Sequence, residues 1–205
     1  NARLEGLSLW DRDVVRYLDS DRIPIFNPIE DFLFGLDVRW DGHDRIRELA
    51  ARVPCNNRHW ADLFYRWFLN MVAHWRQTDR KYANCTVPLL VGPQAYRKST
   101  FCRSLLPPEL QAYYTDRIDF SNKRDAEISL NRFALINMDE FDQNRVNQQA
   151  FLKHIFQKPI VNVRRPHGTA TQEMRRYASF NGTSKHKNLP TDTSRSRRYI
   201  LSLVT

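Results

Sequence analysis

A lysine and two hydroxyl side chains follow a glycine at the end of a short apolar run, a combination that can bind a nucleotide. The segment from Gly92 to Thr100 reads GPQAYRKST. In a phosphate-binding loop, backbone N–H groups cradle phosphates, a lysine reaches the terminal phosphates, and a serine or threonine hydroxyl holds Mg²⁺. The sequence therefore predicts phosphate contact for Lys98 and Mg²⁺ ligation for Ser99. The predicted nucleotide-binding residues are Gly92, Pro93, Gln94, Ala95, Tyr96, Arg97, Lys98, Ser99 and Thr100.

The loop departs from the usual phosphate-binding pattern at Arg97, where that pattern carries a second glycine. Glycine tolerates a positive φ and lets the backbone approach phosphate closely, so a side chain there adds strain of roughly 1–3 kcal/mol. An arginine can compensate by donating hydrogen bonds to phosphate oxygens. The alternative interpretation is that Gly-Pro-Gln forms an ordinary turn between a strand and a helix.

Two adjacent acids end the second informative stretch, RFALINMDEF at residues 132–141. Its near-continuous apolar run is typical of a central parallel strand, and ligands of open α/β sheets bind at the carboxyl ends of strands. Asp139 and Glu140 would then lie beside the Lys98 loop if the two strands are neighbours. Asp139 is predicted to orient Mg²⁺, and Glu140 to position and deprotonate an attacking water. The alternative is a solvated acidic turn.

Basic residues cluster at two further places. Residues 160–174 predict a hairpin whose tip carries Arg164, Arg165 and His167, which could grip a nucleic-acid backbone or simply form a solvated turn. Arg197 and Arg198 precede the last predicted strand. They could sense phosphate or complete the site of a neighbouring subunit, and the alternative is a role in solubility.

The elements that must position these residues follow from periodicity. A broad apolar stripe predicts one long helix over residues 59–77, packed against the protein rather than stacking bases. Short strands are expected at residues 86–91, 118–120, 133–138, 177–183 and 199–204. The predicted fold class is α/β, with a three-layer P-loop core and a mainly parallel central sheet. An N-terminal helical region, residues 1–78, is expected to precede the core, residues 79–205.

Composition narrows the class of partner. The chain has 205 residues, a net charge of +9 and 41% apolar residues, which favours a folded protein with a polyanionic partner, nucleic acid before membrane. Three cysteines without metal-binding spacing indicate neither a disulfide framework nor a zinc site, so a cytoplasmic location is expected. No apolar run approaches the roughly 18 residues of a membrane span. We expect the chain to be a piece of a longer protein.

Several motifs in order resemble the virulence-associated protein E family. They are GPQAYRKST, FALINMDEFDQ, FLKHIFQKPIVNVRRPHG, RRYASFNGTS and DTSRSRRYI, preceded by FNPIEDFL and WDGHDRI, so the resemblance runs from about Phe26 to Thr205. The family consists of P-loop proteins related to superfamily 3 helicases, often carried on mobile elements and fused to primase-type modules.

The resemblance implies roles for individual residues. Lys98 would bind phosphate, Ser99 would ligate Mg²⁺, and Asp139 and Glu140 would be the acidic pair. Arg197 or Arg198 would be an arginine finger, and Arg164 and Arg165 would belong to a DNA-contacting hairpin. Two departures bear on hydrolysis. Ala95 and Arg97 replace glycines, and Lys185 stands where relatives usually have an asparagine that senses the γ-phosphate. An amide orients water, whereas a cation only attracts charge.

The function expected from these observations is ATP hydrolysis with Mg²⁺, used to move or remodel DNA, with single strands favoured. A homo-oligomer, such as a ring, is the expected assembly. Lys185 joins the acids and Arg197 or Arg198 as a candidate catalytic residue. One alternative is a nucleic-acid-binding or assembly module whose nucleotide site no longer hydrolyses ATP. Another is a small-molecule P-loop kinase, which would need a lid and an acceptor pocket; the basic turn at residues 164–168 and the absence of an obvious lid disfavour it.

Overall fold

The computed structural model describes residues 6, 8–18, 20, 22–23, 26–36, 40–78, 81–141, 148–163, 171–186 and 198–204. The protein is a mixed α/β structure with a five-stranded sheet and a separate two-stranded hairpin. The helices are α1 (Asp11–Leu18), α2 (Pro28–Phe34), α3 (Arg45–Ala51), α4 (Trp60–Arg76), α5 (Lys98–Ser104), α6 (Lys123–Arg132) and α7 (Gln149–Gln157). The strands are β1 (Val87–Val91), β2 (Tyr114–Thr115), β3 (Leu135–Met138), β4 (Ile160–Val163), β5 (Gln172–Arg175), β6 (Ser179–Ser184) and β7 (Tyr199–Leu203).

The long helix α4 forms where the apolar stripe predicts it. Trp60, Phe64, Trp67, Met71 and Trp75 are all buried along one side of this helix. Its last turn ends at residue 77, which takes a left-handed conformation with φ 53° and donates its N–H back to the helix. The aromatic stripe is therefore part of the protein core, as the sequence predicts, and its rings are not exposed for stacking on bases.

The five-stranded sheet has the order β2-β3-β6-β1-β7, and every neighbouring pair is parallel. All carboxyl ends therefore lie along one edge of the sheet. The strands β1 and β3, which precede the candidate loop and the acidic pair, are not neighbours, because β6 lies between them. The expectation that these two strands pair directly is thus wrong, although both still end at the same edge.

Each face of the sheet carries its own apolar core. On one face, Leu90 and Leu135 pack with residues of α2, α3, α4 and α5. On the other face, Leu89, Ile136 and Phe180 pack with residues of α6, α7 and the β4–β5 hairpin. Helices α2, α3 and α4 therefore pack on the same face as α5, and the division at residue 78 stays a prediction. No helix within the described ranges combines the length and apolar character needed to cross a bilayer.

The prediction of a strand at residues 118–120 is wrong. Those residues are irregular, and the short edge strand is β2, in which Tyr114 pairs with Leu135 of β3. Phe120 is nevertheless buried, at 9% exposure. An apolar residue can enter a core from a loop, so the apolar pattern alone does not identify the hydrogen-bonded segment.

Gly182 of β6 tests how tightly the central strands pack. A Cβ at this position would lie 2.6 Å from Leu89 Cδ2 and 3.0 Å from the Met138 carbonyl oxygen. We expect Gly182→Ala to lower the free energy of unfolding by about 1–3 kcal/mol, because the backbone of β3 cannot yield as a side chain can. Urea unfolding measures the change. Gly35→Ala, where the added methyl meets atoms no closer than 3.4 Å, is the matched control.

Candidate nucleotide site

The loop between β1 and α5 takes a glycine-like backbone conformation at two residues that are not glycine. Ala95 has φ 70° and Arg97 has φ 52°, both in the left-handed region. That region costs a side-chain-bearing residue roughly 1–2 kcal/mol. The two positions at which the sequence departs from the family pattern are therefore the two that take a glycine-like conformation. The substitutions keep the shape of the loop at the cost of local strain.

Gly92 fixes the start of this loop between two strand ends. Its N–H donates to the carbonyl oxygen of Ser184 at 3.1 Å, which continues the pairing of β1 with β6. A Cβ at Gly92 would lie 3.2 Å from the carbonyl oxygen of Val204, just after β7. The glycine therefore lets the chain leave the sheet between β6 and β7.

The ammonium group of Lys98 lies across the base of the loop. Its Nζ donates to the carbonyl oxygens of Gly92 at 2.8 Å and Pro93 at 2.6 Å. These contacts hold the lysine at the first residue of α5, next to the N–H groups of that helix end. A phosphate is attracted to both the cation and those groups.

Asp139 joins three elements of the fold. Its Oδ1 accepts a hydrogen bond from Ser99 Oγ of α5 at 3.0 Å and a second from Thr183 Oγ1 of β6. Lys98 and Ser99 are thus beside the acid that follows β3, as the sequence predicts. Thr183 is not among the residues predicted from the sequence. Its position near the carboxyl end of a predicted central strand is the signal that would have indicated it.

Glu140 and Lys185 form an ion pair across the strand ends of β3 and β6. Glu140 has φ 48°, a left-handed conformation that is strained for a glutamate and bends the chain just after Asp139. Both side chains are only partly exposed, Lys185 at 32% and Glu140 at 41%. The lysine that replaces the expected asparagine therefore contacts the candidate catalytic base.

These residues surround one cleft of about 370 Å³, a size that suits a small ligand. Gly92 and Pro93 are not part of its wall, but they hold Lys98. The cleft is lined by Gln94, Ala95, Tyr96, Arg97, Lys98, Ser99, Thr100, Asp139, Glu140, Thr183, Ser184 and Lys185.

Two buried titratable side chains, Cys102 of α5 and Tyr114 of β2, favour their neutral forms. Burial raises the pKa of the Cys102 thiol, and that of the Tyr114 hydroxyl on β2, well above their usual ranges. Burial therefore favours the neutral thiol of Cys102 over the thiolate, which is the form that acts as a nucleophile or a metal ligand.

The donors fit Mg²⁺ better than a transition metal. Across the described part of the chain, no group of three or more histidine, cysteine, aspartate or glutamate side chains comes together. Mg²⁺ is typically held by one or two carboxylates with substrate phosphates and water. The Ser99 hydroxyl and the Asp139 carboxylate, hydrogen-bonded to each other at the cleft, match such a set.

Of the remaining predicted site residues, the structure describes Arg198 alone, and it lies away from the cleft. Arg198 directly precedes β7, and its carbonyl oxygen accepts from Val87 N at 2.7 Å, at the amino end of β1. The length of β1 separates it from the cleft, roughly 13 Å at the usual rise per residue. Arg164, Arg165, His167 and Arg197 lie outside the described residues.

Comparison with solved structures finds the same fold in the C-terminal region of NrS-1. One apo structure of that region has a TM-score of 0.52 at 14% identity, and the match covers 84% of this chain and 41% of the other. A second, in an A form, has a TM-score of 0.56 at 13% identity, covering 84% of this chain and 40% of the other. This chain therefore spans about two fifths of those structures, and at such identity the likeness concerns the fold alone.

Comparison with families and curated proteins gives a single positive result. No curated protein matches the sequence. The model of the virulence-associated protein E-like domain matches residues 35–204, which is most of the chain. The protein therefore belongs to the family of virulence-associated protein E-like domains.

Proposed function

We propose that this domain is a helicase-type P-loop ATPase that binds ATP with Mg²⁺ and uses its hydrolysis to move or remodel DNA. It would act within a larger primase-helicase-type protein of a mobile element. The observation that carries the proposal is the hydrogen bond between Ser99 and Asp139 at 3.0 Å. It joins the helix that follows the candidate loop to the acid that follows β3, in the arrangement that a Mg²⁺-nucleotide site requires.

The sheet supports the same assignment. Its strands are parallel, and the loop, Asp139 and Lys185 all follow the carboxyl ends of strands. Ligands of open α/β sheets bind at this edge. The left-handed conformation of Ala95 and Arg97 supports a loop that wraps phosphate, because an ordinary turn between strand and helix has no need of two strained residues.

Each side chain of the cleft has a role that its position suits. Lys98 would attract the terminal phosphates, and Ser99 and Asp139 would hold the metal, with Thr183 orienting the Asp139 carboxylate. Mg²⁺ would offset the negative charge of the phosphates. Glu140 accepts the proton of the attacking water. The ammonium of Lys185, in the same cleft wall, adds a positive charge that Asn at this position would not supply.

The position of Arg198 favours a homo-oligomer, such as a ring. Its backbone lies beside the amino end of β1, roughly 13 Å along the strand from the end that faces the cleft, so this arginine stands apart from the site of its own chain. An arginine finger at this end of the sheet would therefore act on the site of an adjacent subunit. The net charge of +9 favours a nucleic-acid partner, and single-stranded DNA is the proposed one.

ATP turnover with and without single-stranded DNA tests the proposal. We expect Lys98→Ala to lower kcat/KM for ATP by at least about 100-fold, because it removes a fixed positive charge at the phosphates. Lys123→Ala, which removes an exposed lysine of α6, is the matched control and should leave turnover unchanged. The absence of turnover in the unmodified protein, or equal turnover in Lys98→Ala, would contradict the ATPase assignment.

A second candidate function is a nucleic-acid-binding or assembly module that no longer hydrolyses ATP. The ion pair between Lys185 and Glu140 favours it, because it engages the candidate base with a cation. Binding of a labelled DNA strand at several salt concentrations, combined with ATP titration, separates the two. Salt-sensitive DNA binding by a protein that does not bind ATP would select the second function.

A further inference from the structure

Two asparagines on neighbouring central strands bury their amides without protein partners. Asn137 of β3 and Asn181 of β6 are register partners and are 2% and 1% exposed. Within the described ranges, neither the nitrogen nor the oxygen of either amide has a hydrogen-bond partner in the protein. An unsatisfied buried polar group costs about 1–3 kcal/mol, so the pair destabilises a sheet that apolar residues would stabilise.

The two amides lie directly behind the metal-binding carboxylate. Side chains alternate along a strand, so Asn137 shares a face with Asp139, and Asn181 shares it with Thr183. Asp139 and Thr183 are hydrogen-bonded to each other, which confirms that these faces coincide. Helix α5, which carries Ser99, covers this part of β3 and β6. The two amides therefore form a polar row on this face, two residues along the strands before Asp139 and Thr183. Asp139 is the residue that accepts the hydrogen bond from Ser99.

Core packing does not account for this row. The neighbouring residues of β3 are Ile136 and Met138, both buried in the apolar core on the opposite face. Leucine has nearly the shape of asparagine and would fill the same space without an unpaired amide. Polar groups in such positions are usually satisfied by ordered water, which makes about three hydrogen bonds. A water between the amides would have the carboxylate of Asp139 as its next neighbour along the strands.

We propose that Asn137 and Asn181 are positioning residues, which hold the Asp139 carboxylate in its Mg²⁺-binding orientation through buried water. The proposal rests on the proposed function of the cleft, since it concerns the same metal site. Groups behind a metal ligand typically change metal affinity by 10- to 100-fold when they are removed. The amides thus lower the stability of the fold and raise the affinity of the site for its metal.

The test is to replace each amide by an apolar side chain of the same size. We expect Asn137→Leu and Asn181→Leu to unfold at the same urea concentration as the unmodified protein or a higher one. In the same variants, the Mg²⁺ concentration that half-saturates binding of a fluorescent ATP analogue should rise at least about 10-fold. Binding of the analogue in EDTA should not change, because phosphate contacts of the loop are untouched.

The control is Trp67→Phe, which removes another buried polar atom without a described hydrogen-bond partner, the indole Nε1, from a helix that carries no site residue. It should leave the Mg²⁺ dependence unchanged. If either leucine variant fails to fold, Asn137→Ala and Asn181→Ala take its place with the same expected shift. Leucine or alanine variants with an unchanged Mg²⁺ dependence would overturn the positioning role alone. An unmodified protein that binds no analogue would instead overturn the proposed function, and this inference with it.

Discussion

Glu140→Gln is expected to lower ATP turnover by about 100- to 10,000-fold while Mg²⁺-dependent ATP binding persists, because Glu140 is the candidate base. Its carboxylate lies in the cleft wall beside Asp139, Lys185 and the loop that starts α5. Glutamine keeps the size of the side chain and its hydrogen-bonding oxygen, but its amide cannot take a proton. Steady-state phosphate release measures turnover, and titration of a fluorescent ATP analogue measures binding.

The contact with Lys185 adds a second expectation for the same variant. In the structure the Lys185 ammonium pairs with Glu140, so the negative charge of a triphosphate must compete with that carboxylate for the cation. Glutamine removes the competing charge, and ATP affinity should therefore increase in Glu140→Gln. The increase should be smaller when Lys185→Met is also present, because the released cation is then missing. A double-mutant cycle isolates this pairwise effect from the general loss of negative charge.

Glu109→Gln is the matched control, since it makes the same chemical change at an exposed acid in the segment just before β2. It should alter neither turnover nor affinity. Turnover of Glu140→Gln within 10-fold of the unmodified protein would remove Glu140 from the role of general base. Loss of ATP binding in the same variant would show that Glu140 supports the cleft rather than the chemistry.

The sequence predicted the members of the site better than the way in which the fold assembles them. Lys98, Ser99 and Asp139 each stand at the end of a recognisable apolar strand or the start of a helix, and local pattern finds such places. That β6 lies between β1 and β3 is a matter of sheet order, which depends on long-range packing. Thr183 was missed because its role depends on the same sheet order. Its hydroxyl donates a hydrogen bond to the carboxylate of Asp139, which follows the neighbouring strand.

The conformation of the loop could not be predicted from the sequence. The sequence showed that Arg97 replaces a glycine, and φ 52° at this residue shows that the backbone shape is retained. Sequence could not decide this, because the strain of a left-handed residue is offset by contacts made elsewhere in the fold. The family, by contrast, was predicted from several motifs in order, and the family model confirms it over residues 35–204. The roles of Arg197 and of the hairpin-tip residues Arg164, Arg165 and His167 stay predictions.

Arg176 is a buried arginine that no sequence pattern indicated. It stabilises the face of the sheet on which α7 and the β4–β5 hairpin pack. Arg176 is fully buried, and its side chain lies over the ring of Phe180, 5.5 Å from the ring centre. Burial lowers its pKa to about 9, which leaves it charged at neutral pH. Arg176 has no carboxylate partner among the described residues. The guanidinium instead donates hydrogen bonds to the backbone carbonyls of Ile155, Phe156, Lys158 and Ala178. It thus satisfies the carbonyl end of α7, where a cation is also favoured by the helix dipole.

Arg176→Met is therefore expected to lower the free energy of unfolding by at least about 3 kcal/mol, because it leaves several buried carbonyls unpaired. Urea unfolding followed by circular dichroism measures this loss. The adjacent Arg175→Met is the matched control. Arg175 is 46% exposed and pairs with Glu30 at 2.8 Å, and a solvent-exposed ion pair contributes no more than about 1 kcal/mol. Equal losses in the two variants would mean that the carbonyls at the end of α7 find other partners, and that Arg176 does not hold this helix against the sheet.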